Sequence, residues 1–570
     1  MTLFELPTEL DHRRQSPQQH HDSVATSTMP TYRRPLSPNE LSYFLPSRAY
    51  GLNDMFVRIT VRAPIGLITP QRLHIVWAML RLKHSLMASR VEMPTGQYDH
   101  AQFVYTPPAT AAQAVQEAAS SVHLYADMSG PALIDEFLNG APKLSASCLS
   151  RVDVARQDYG PGMHEYHFVF MFHHMINDAR GVYAISQYAL ELLGGSTLTQ
   201  PPLSDAQLTH ALEAEWKRRW SAPPRDPNEV LIPSTELRIL RSVPTKLQEV
   251  AWKVDQNNVQ KRFIGGHAFP RARPASAKTI KTRLIQAKFS KEQTAAIFAR
   301  CKAERVTPQS AVFGLINMAW IRLFSRHPEI PVSKTLPMLM YTAISLRGYL
   351  PPVSDMSSFM SLALGYHNLV LPSFLPSASS PTSLASVFWA RSREAQRQMF
   401  AYSHSPMLLG RSVVAAQERG ERSKAWARFD DEEAGILPRR PAPPKPAVAQ
   451  QQPAAPKTPS VALVGVSQSG NIDGIFRTER YPLMEFVDLV GGTRKGPGGV
   501  LVYTRTVMQQ FNMLLLWDAA PFDADLMDEF WRYVVDGMHE YVLEDPSLIG
   551  TAQQVDCCAE TTRTRARSRL

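Results

Sequence analysis

The chain predicts an α/β protein built as two large lobes, and three observations lead there. Its 570 residues exceed what one ordinary hydrophobic core organises, because single cores stop growing near roughly 250–300 residues. Strand-like runs and helix-spaced apolar segments occur in both halves. Between them, from Gly194 to about Ala277, runs a proline-punctuated stretch that reads as a long crossover. A composition of 44% hydrophobic and 20% charged residues suits a packed core and excludes a disordered or fibrous chain.

The elements follow in order. Residues 1–31 read as a polar tail, with order beginning near Tyr32 and the run Arg34–Glu40 leading into Leu41–Leu45. Met55–Arg62 alternates like a strand, and Leu73, Val76, Trp77 and Leu80 have helical spacing. Glu165–Phe172 is rich in aromatic and apolar residues and reads as a buried strand. A short polar loop follows, then a helix marked by Val182, Ile185, Ala189 and Leu192 and closed at Gly194-Gly195. The first lobe with its crossover thus spans 32–277. The second, 278–546, opens with a strand at Thr279–Phe289, a helix at Glu292–Ala303 and an apolar helix at Thr307–Phe324, started by Thr307-Pro308. Residues 438–459 form a Pro/Ala-rich insertion that cannot build a core. Strands are expected at Val461–Val466, Val500–Arg505 and Phe511–Trp517, then a helix with Leu526, Phe530, Val534 and Met538 in one stripe. Residues 547–570 are a flexible tail.

Several functions are excluded. No apolar run approaches the roughly 20 residues that span a bilayer, and Met1–Met29 lacks the apolar stretch of a secretory signal. Cys148, Cys301, Cys557 and Cys558 show no zinc spacing and fit a reducing compartment. The net charge of +10 is thinly spread, densest at Arg439–Lys445 and Arg563–Arg569 and without interleaved aromatics. That argues against nucleic-acid binding.

The chemistry concentrates just past the buried strand, at His173-His174-Met175-Ile176-Asn177-Asp178-Ala179-Arg180-Gly181. Adjacent residues at a strand end face opposite ways, so one histidine at most addresses a given cleft, and the two converge poorly on a metal. A neutral imidazole can take a proton from a hydroxyl nucleophile, help worth roughly 10²–10⁴ in rate. Asp178 also stands where a helix cap belongs. Taken alone, a strand-end histidine is an ordinary hydrogen-bonded residue, Arg347 a structural or solvated arginine, and Ser467 and Gly470 a turn.

The pattern His173-His174-x-x-x-Asp178-x-x-Gly181 resembles the signature of condensation domains, and its His174-x-x-x-Asp178 core that of related acyltransferases in the chloramphenicol-acetyltransferase-like superfamily. Ile344–Gly348 is similar to that family's arginine-containing segment, Val466–Gly470 to its Ser-and-Gly strand end, and Val487–Gly492 loosely to the DFGWG segment of plant alcohol acyltransferases, without the aromatic. The resemblance spans roughly 34–544. It implies a pseudo-symmetric pair of α/β lobes with a channel between them, His174 as general base, and Asp178 as a structural partner of an arginine, for which Arg347 is the candidate. Gly181 would permit close backbone approach at the helix start and His173 would support the loop.

Acyl-CoA would be donor and co-substrate, with no other cofactor and no metal, and a hydroxyl the acceptor. The final Ser568-Arg569-Leu570 is similar to the peroxisomal address, which implies a peroxisomal import receptor as partner. Together these features resemble fungal acyltransferases of mannosylerythritol lipid biosynthesis, which place short- or medium-chain acyl groups on mannose hydroxyls. The alternatives are another fungal alcohol O-acyltransferase, a free-standing condensation enzyme using a carrier-bound donor, and a non-catalytic ligand-binding member of the fold.

Overall fold

Along the strand Met163–Phe172, Tyr166, Phe168, Phe170 and Phe172 join one core cluster while Val169 and Met171 join another. A strand buried on both faces reads as a continuous apolar run, which is why its sequence lacks alternation. In the computed structural model, residues 29–195, 202–222, 225–241, 243–330, 335–351, 359–376, 381–440, 459–543 and 553–556 are described. Most of the N-terminal tail, nearly all of the Pro/Ala-rich insertion and the terminal Ser568-Arg569-Leu570 lie outside them.

Met163–Phe172 is central in a five-stranded sheet, ordered Glu485–Thr493, Met55–Pro64, Met163–Phe172, Ser150–Asp158, Val122–Tyr125. A second sheet runs Leu364–Leu371, Met338–Ser345, Ser460–Asn471, Val500–Val507, Gln510–Asp518, Thr282–Lys288, Gln553–Asp556, with Gly265–Gly266 pairing beside Ser460–Asn471. Tyr32–Pro35, Gln102–Tyr105 and Arg90–Glu92 make a small third sheet. Each large sheet carries its own core. A smaller cluster joins them: Phe56, Val169, Met171 and Val490 from one sheet pack with Leu284, Tyr503, Leu514 and Leu516 from the other.

The helices start where local chemistry dictates. Ser37 caps Pro38–Tyr50 in a reciprocal capping box with Glu40, Thr69 caps Pro70–Lys83, Thr307 caps Pro308–Arg326, and Asp523 caps Ala524–Met538.

Three regions depart from the sequence reading. The crossover is substantially helical, with Asp205–Trp220, Thr235–Leu240 and Lys246–Gln260 between its prolines; Ser204, Ser234 and Thr245 cap them, and proline punctuation marks the joints. Residues 381–433 hold two long helices, Pro381–Ser403 and Leu408–Glu433, whose dense charge hides the apolar stripe. Gln553–Asp556, assigned to the flexible tail, pairs antiparallel with Thr282–Lys288.

Two connections tie the halves together. Glu485–Thr493 crosses from the far half of the chain to pair with Met55–Pro64. Leu408–Glu433 packs along Pro38–Tyr50 so closely that a Cβ on Gly420 would stand 2.9 Å from Pro38.

Candidate active site

The strand ends at Phe172, and the chain turns through a short 3₁₀ segment, His174–Ile176, before the helix Ala179–Gly194. This turn sends the two histidines apart. His173 is buried, its Nδ1 3.0 Å from Ser47 Oγ and 3.1 Å from Asp54 Oδ1. Ser47 in turn donates to Asp54 at 2.6 Å. His173 therefore pins the first helix and the turn after it.

His174 faces a cavity of about 210 Å³. Its Nδ1 lies 3.0 Å from the carbonyl oxygen of Asn177. A carbonyl only accepts, so Nδ1 carries the hydrogen and Nε2 keeps its lone pair. Burial lowers the imidazole pKa from its ordinary value, against smaller opposing effects of backbone contacts and Asp178. The ring is a neutral base at neutral pH. Tyr43 stacks on it, centroids 4.1 Å apart at 28°.

Asp178 does two jobs with one buried carboxylate. It caps Ala179–Gly194 by accepting from the Gly181 N–H at 3.2 Å. It also receives Arg347, Nη2 at 2.9 Å and Nε at 3.0 Å, and the Ala363 N–H at 3.3 Å. Arg347 donates onward to the carbonyls of Phe359 (2.8 Å) and Ser361 (2.7 Å), joining the loops around the site. Asn177, whose carbonyl orients His174, accepts from the Asp178 N–H at 2.9 Å. At Gly181 a Cβ would come within 1.8 Å of Asn177 Oδ1; the group that crowds this position is a side chain and not the backbone expected there.

Both halves line the cavity. Asn53, Met55, His174 and Tyr183 come from the first, Tyr341, Ser467, Ser469 and Tyr503 from the second, with Gly491, Gly492 and Lys495 from the crossing strand and its exit. Val466–Gly470 belongs to a strand, not a turn: Ser460–Asn471 runs parallel to its neighbours, with an irregularity near Gly470 at φ 71°. Ser469 and Tyr183 both hydrogen-bond the Tyr503 hydroxyl, whose pKa burial raises well above the phenol range.

Sequence reasoning did not single out several residues here. The Tyr43 hydroxyl meets that of Tyr366 at 2.6 Å, and the Arg419 guanidinium lies 4.0 Å from the Tyr366 ring centroid. Burial, followed by the influence of Tyr366, raises the Tyr43 pKa well above the phenol range, so it stays a neutral phenol. None of these three residues carries a motif. Lys495 sits in Gly491-Gly492-Thr493-Arg494-Lys495-Gly496-Pro497-Gly498-Gly499, where the glycine density is a readable signal. Among the described residues, no group of three or more His, Cys, Asp or Glu side chains is placed to hold a metal, and no helix is long and apolar enough to cross a membrane.

No protein-family model and no curated protein matches the chain. Solved structures do. TRI3 trichothecene 15-O-acetyltransferase from Fusarium sporotrichioides superposes with a TM-score of 0.63 at 12% identity, over 90% of this chain and 96% of that one. The condensation domain of the monacolin K polyketide synthase MokA gives 0.53 at 12%, covering 93% and 100%. The first condensation domain of the CDA synthetase gives 0.51 at 11%, covering 92% and 98%. The chain has the two-lobed α/β fold of chloramphenicol-acetyltransferase-like and condensation-domain proteins. At these identities the likeness is one of fold.

Proposed function

We propose that the chain is an acyl-CoA-dependent O-acyltransferase with His174 as general base. The observation that carries this reading is the neutral His174 imidazole, its Nδ1 committed to Asn177, facing a cavity lined from both halves. His174 takes the proton of the acceptor hydroxyl as its oxygen attacks the thioester carbonyl; the C–S bond breaks and the proton passes to the departing sulfur. Neither an acyl-enzyme nor a metal enters this scheme.

For the acceptor, we take the mannose hydroxyls of a mannosylerythritol glycolipid, and for the compartment the peroxisome, with import by the receptor that reads Ser568-Arg569-Leu570. The sequence resemblance supports both. A second reading, another alcohol of fungal secondary metabolism, is favoured by the superposition on a trichothecene O-acetyltransferase.

The test is purified protein with acyl-CoA and each acceptor, following free CoA and product mass. Ester formation with the glycolipid supports the full reading, and turnover only with another alcohol moves it to the second. Reaction only from a carrier-bound donor, or an amide product, overturns it.

A further inference from the structure

Lys495 is a buried lysine, 6% exposed, in the wall of the same cavity as His174. Sheet register explains the meeting. Thr493 and Phe172 both pair with Met55, from opposite sides. Two residues beyond each pairing, past the ends of three neighbouring strands, stand Lys495, His174 and Asn53, and all three line the cavity. The Asn53 N–H donates to the Arg494 carbonyl at 2.8 Å, fixing this end.

The position is held from both lobes. The Lys495 N–H donates to Thr282 Oγ1 of the second sheet at 3.0 Å. The lysine stem lies over Gly499, where a Cβ would stand 3.2 Å from Lys495 Cε, and the Gly499 N–H closes a tight turn onto the Gly496 carbonyl at 2.9 Å. Glycine there makes room for the stem.

Among the described residues, nothing hydrogen-bonds or ion-pairs with the Lys495 ammonium. Nearby carboxylates are engaged elsewhere: Asp518 accepts from the N–H groups of Gly498, Lys281 and Ala520, and Asp54 from Ser47 and His173. Arg494 spends its guanidinium on the carbonyls of Tyr50, Phe137 and Gly140. Burial alone pushes the lysine pKa down to about 8. At neutral pH this is a buried charge without a counter-ion, an arrangement that costs stability and persists where a ligand completes it.

We propose that Lys495 is an anion-binding site in the wall of this cavity and takes a compact oxyanion group, a phosphate or carboxylate, carried by a substrate. It deepens the acyl-transfer reading by giving the substrate a negative charge, and it rests on that reading for the word substrate. The source is either a phosphate of the CoA carrier or an acid group on the acyl chain or acceptor.

The test is calorimetric titration of the full chain and its Lys495→Met and Lys495→Arg variants with coenzyme A, pantetheine and succinate. Met keeps the stem and removes the charge, so the unliganded variant should melt higher than wild type. A carrier-phosphate source predicts that Lys495→Met weakens coenzyme A at least about tenfold, that Lys495→Arg restores most of it, and that pantetheine, which lacks phosphate, is indifferent. A carboxylate source predicts the same pattern for succinate while coenzyme A is unmoved. If both anions bind Lys495→Met as tightly as wild type, or neither binds wild type, the inference is wrong. Binding is read without turnover, so loss of the acyl-transfer reading would not mimic this result.

Discussion

Replacing Asp178 with Asn tests the link between the two halves at an ion pair whose carboxylate is buried. Asn keeps one oxygen for the Gly181 N–H, so the helix cap, worth about 1 kcal/mol, survives. The second oxygen, which takes the shorter Arg347 contacts and the Ala363 N–H, becomes an amide donor facing donors. Breaking a buried pair costs about 3–5 kcal/mol. The Asp178 side chain is 3% exposed, but that of Arg347 is 22% exposed and keeps the Phe359 and Ser361 carbonyls, which places the loss at the lower end, about 3 kcal/mol. Arg347→Met should cost a similar amount, since it leaves the carboxylate with two backbone donors. The double variant should fall short of the sum by about 2 kcal/mol, because neither buried partner is then left alone. Urea unfolding followed by fluorescence and by circular dichroism measures all four proteins, with agreement of the two probes checking two-state behaviour. Additivity within about 0.5 kcal/mol would refute the argument.

Other outcomes follow from the same geometry. His174→Ala should lower kcat at least about 10²-fold in a folded protein, and the acid limb of wild-type kcat/KM should lie below the ordinary imidazole value of 6.5; wild-type turnover in the variant removes the general-base role. His173→Ala should instead lower melting temperature more than kcat, since its contacts are to Ser47 and Asp54. His84, His167 and His367 are buried, and burial lowers them from 6.5 to about 3, 4 and 3. The unfolded chain binds these protons first as pH falls, so the stability they contribute is full above 6.5 and drains toward 3–4, about 2 kcal/mol for each by pH 5; a flat stability profile between pH 7 and 5 contradicts this. Deleting Ser568-Arg569-Leu570 should move a fluorescent fusion from peroxisomes to cytosol while extract activity holds; unchanged puncta remove the targeting argument.

The sequence was legible where one local rule governed. Glu165–Phe172 announced itself because a doubly buried strand needs apolar side chains throughout. The turn after it was legible because Asp178 and Gly181 satisfy a cap and a close approach within one helical turn. Arg347 stands 169 residues from Asp178; family resemblance, not spacing, suggested that contact. Tyr43 and Arg419 left no local trace, since Tyr43 reaches the His174 ring from a helix far earlier in the chain, and Arg419 lies over the Tyr43 ring because Leu408–Glu433 packs on that helix at Gly420. Glu485–Thr493 was visible only as a loose motif, because an edge strand says nothing of which sheet it joins.

That strand also bears on how substrates reach His174. Glu485–Thr493 pairs with Met55–Pro64 from Glu485↔Arg62 to Thr493↔Met55, and its exit is hooked to the Asn53 turn by the Asn53 and Arg494 N–H groups, each donating to the carbonyl across, Arg494 at 2.8 Å and Asp54 at 3.0 Å. Swinging the lobes apart would break a ladder of backbone hydrogen bonds, each worth about 1 kcal/mol net, and expose the apolar cluster around Phe56 and Leu516. Leu408–Glu433 adds a second tie: Asp431 receives Arg48 and the Tyr98 hydroxyl, each at 2.6 Å. With the halves held at both ties, the proposed acyl transfer would have donor and acceptor enter along the cavity and not through a hinge. On that proposal, the acceptor would meet His174 between walls that run from Tyr43 to Lys495.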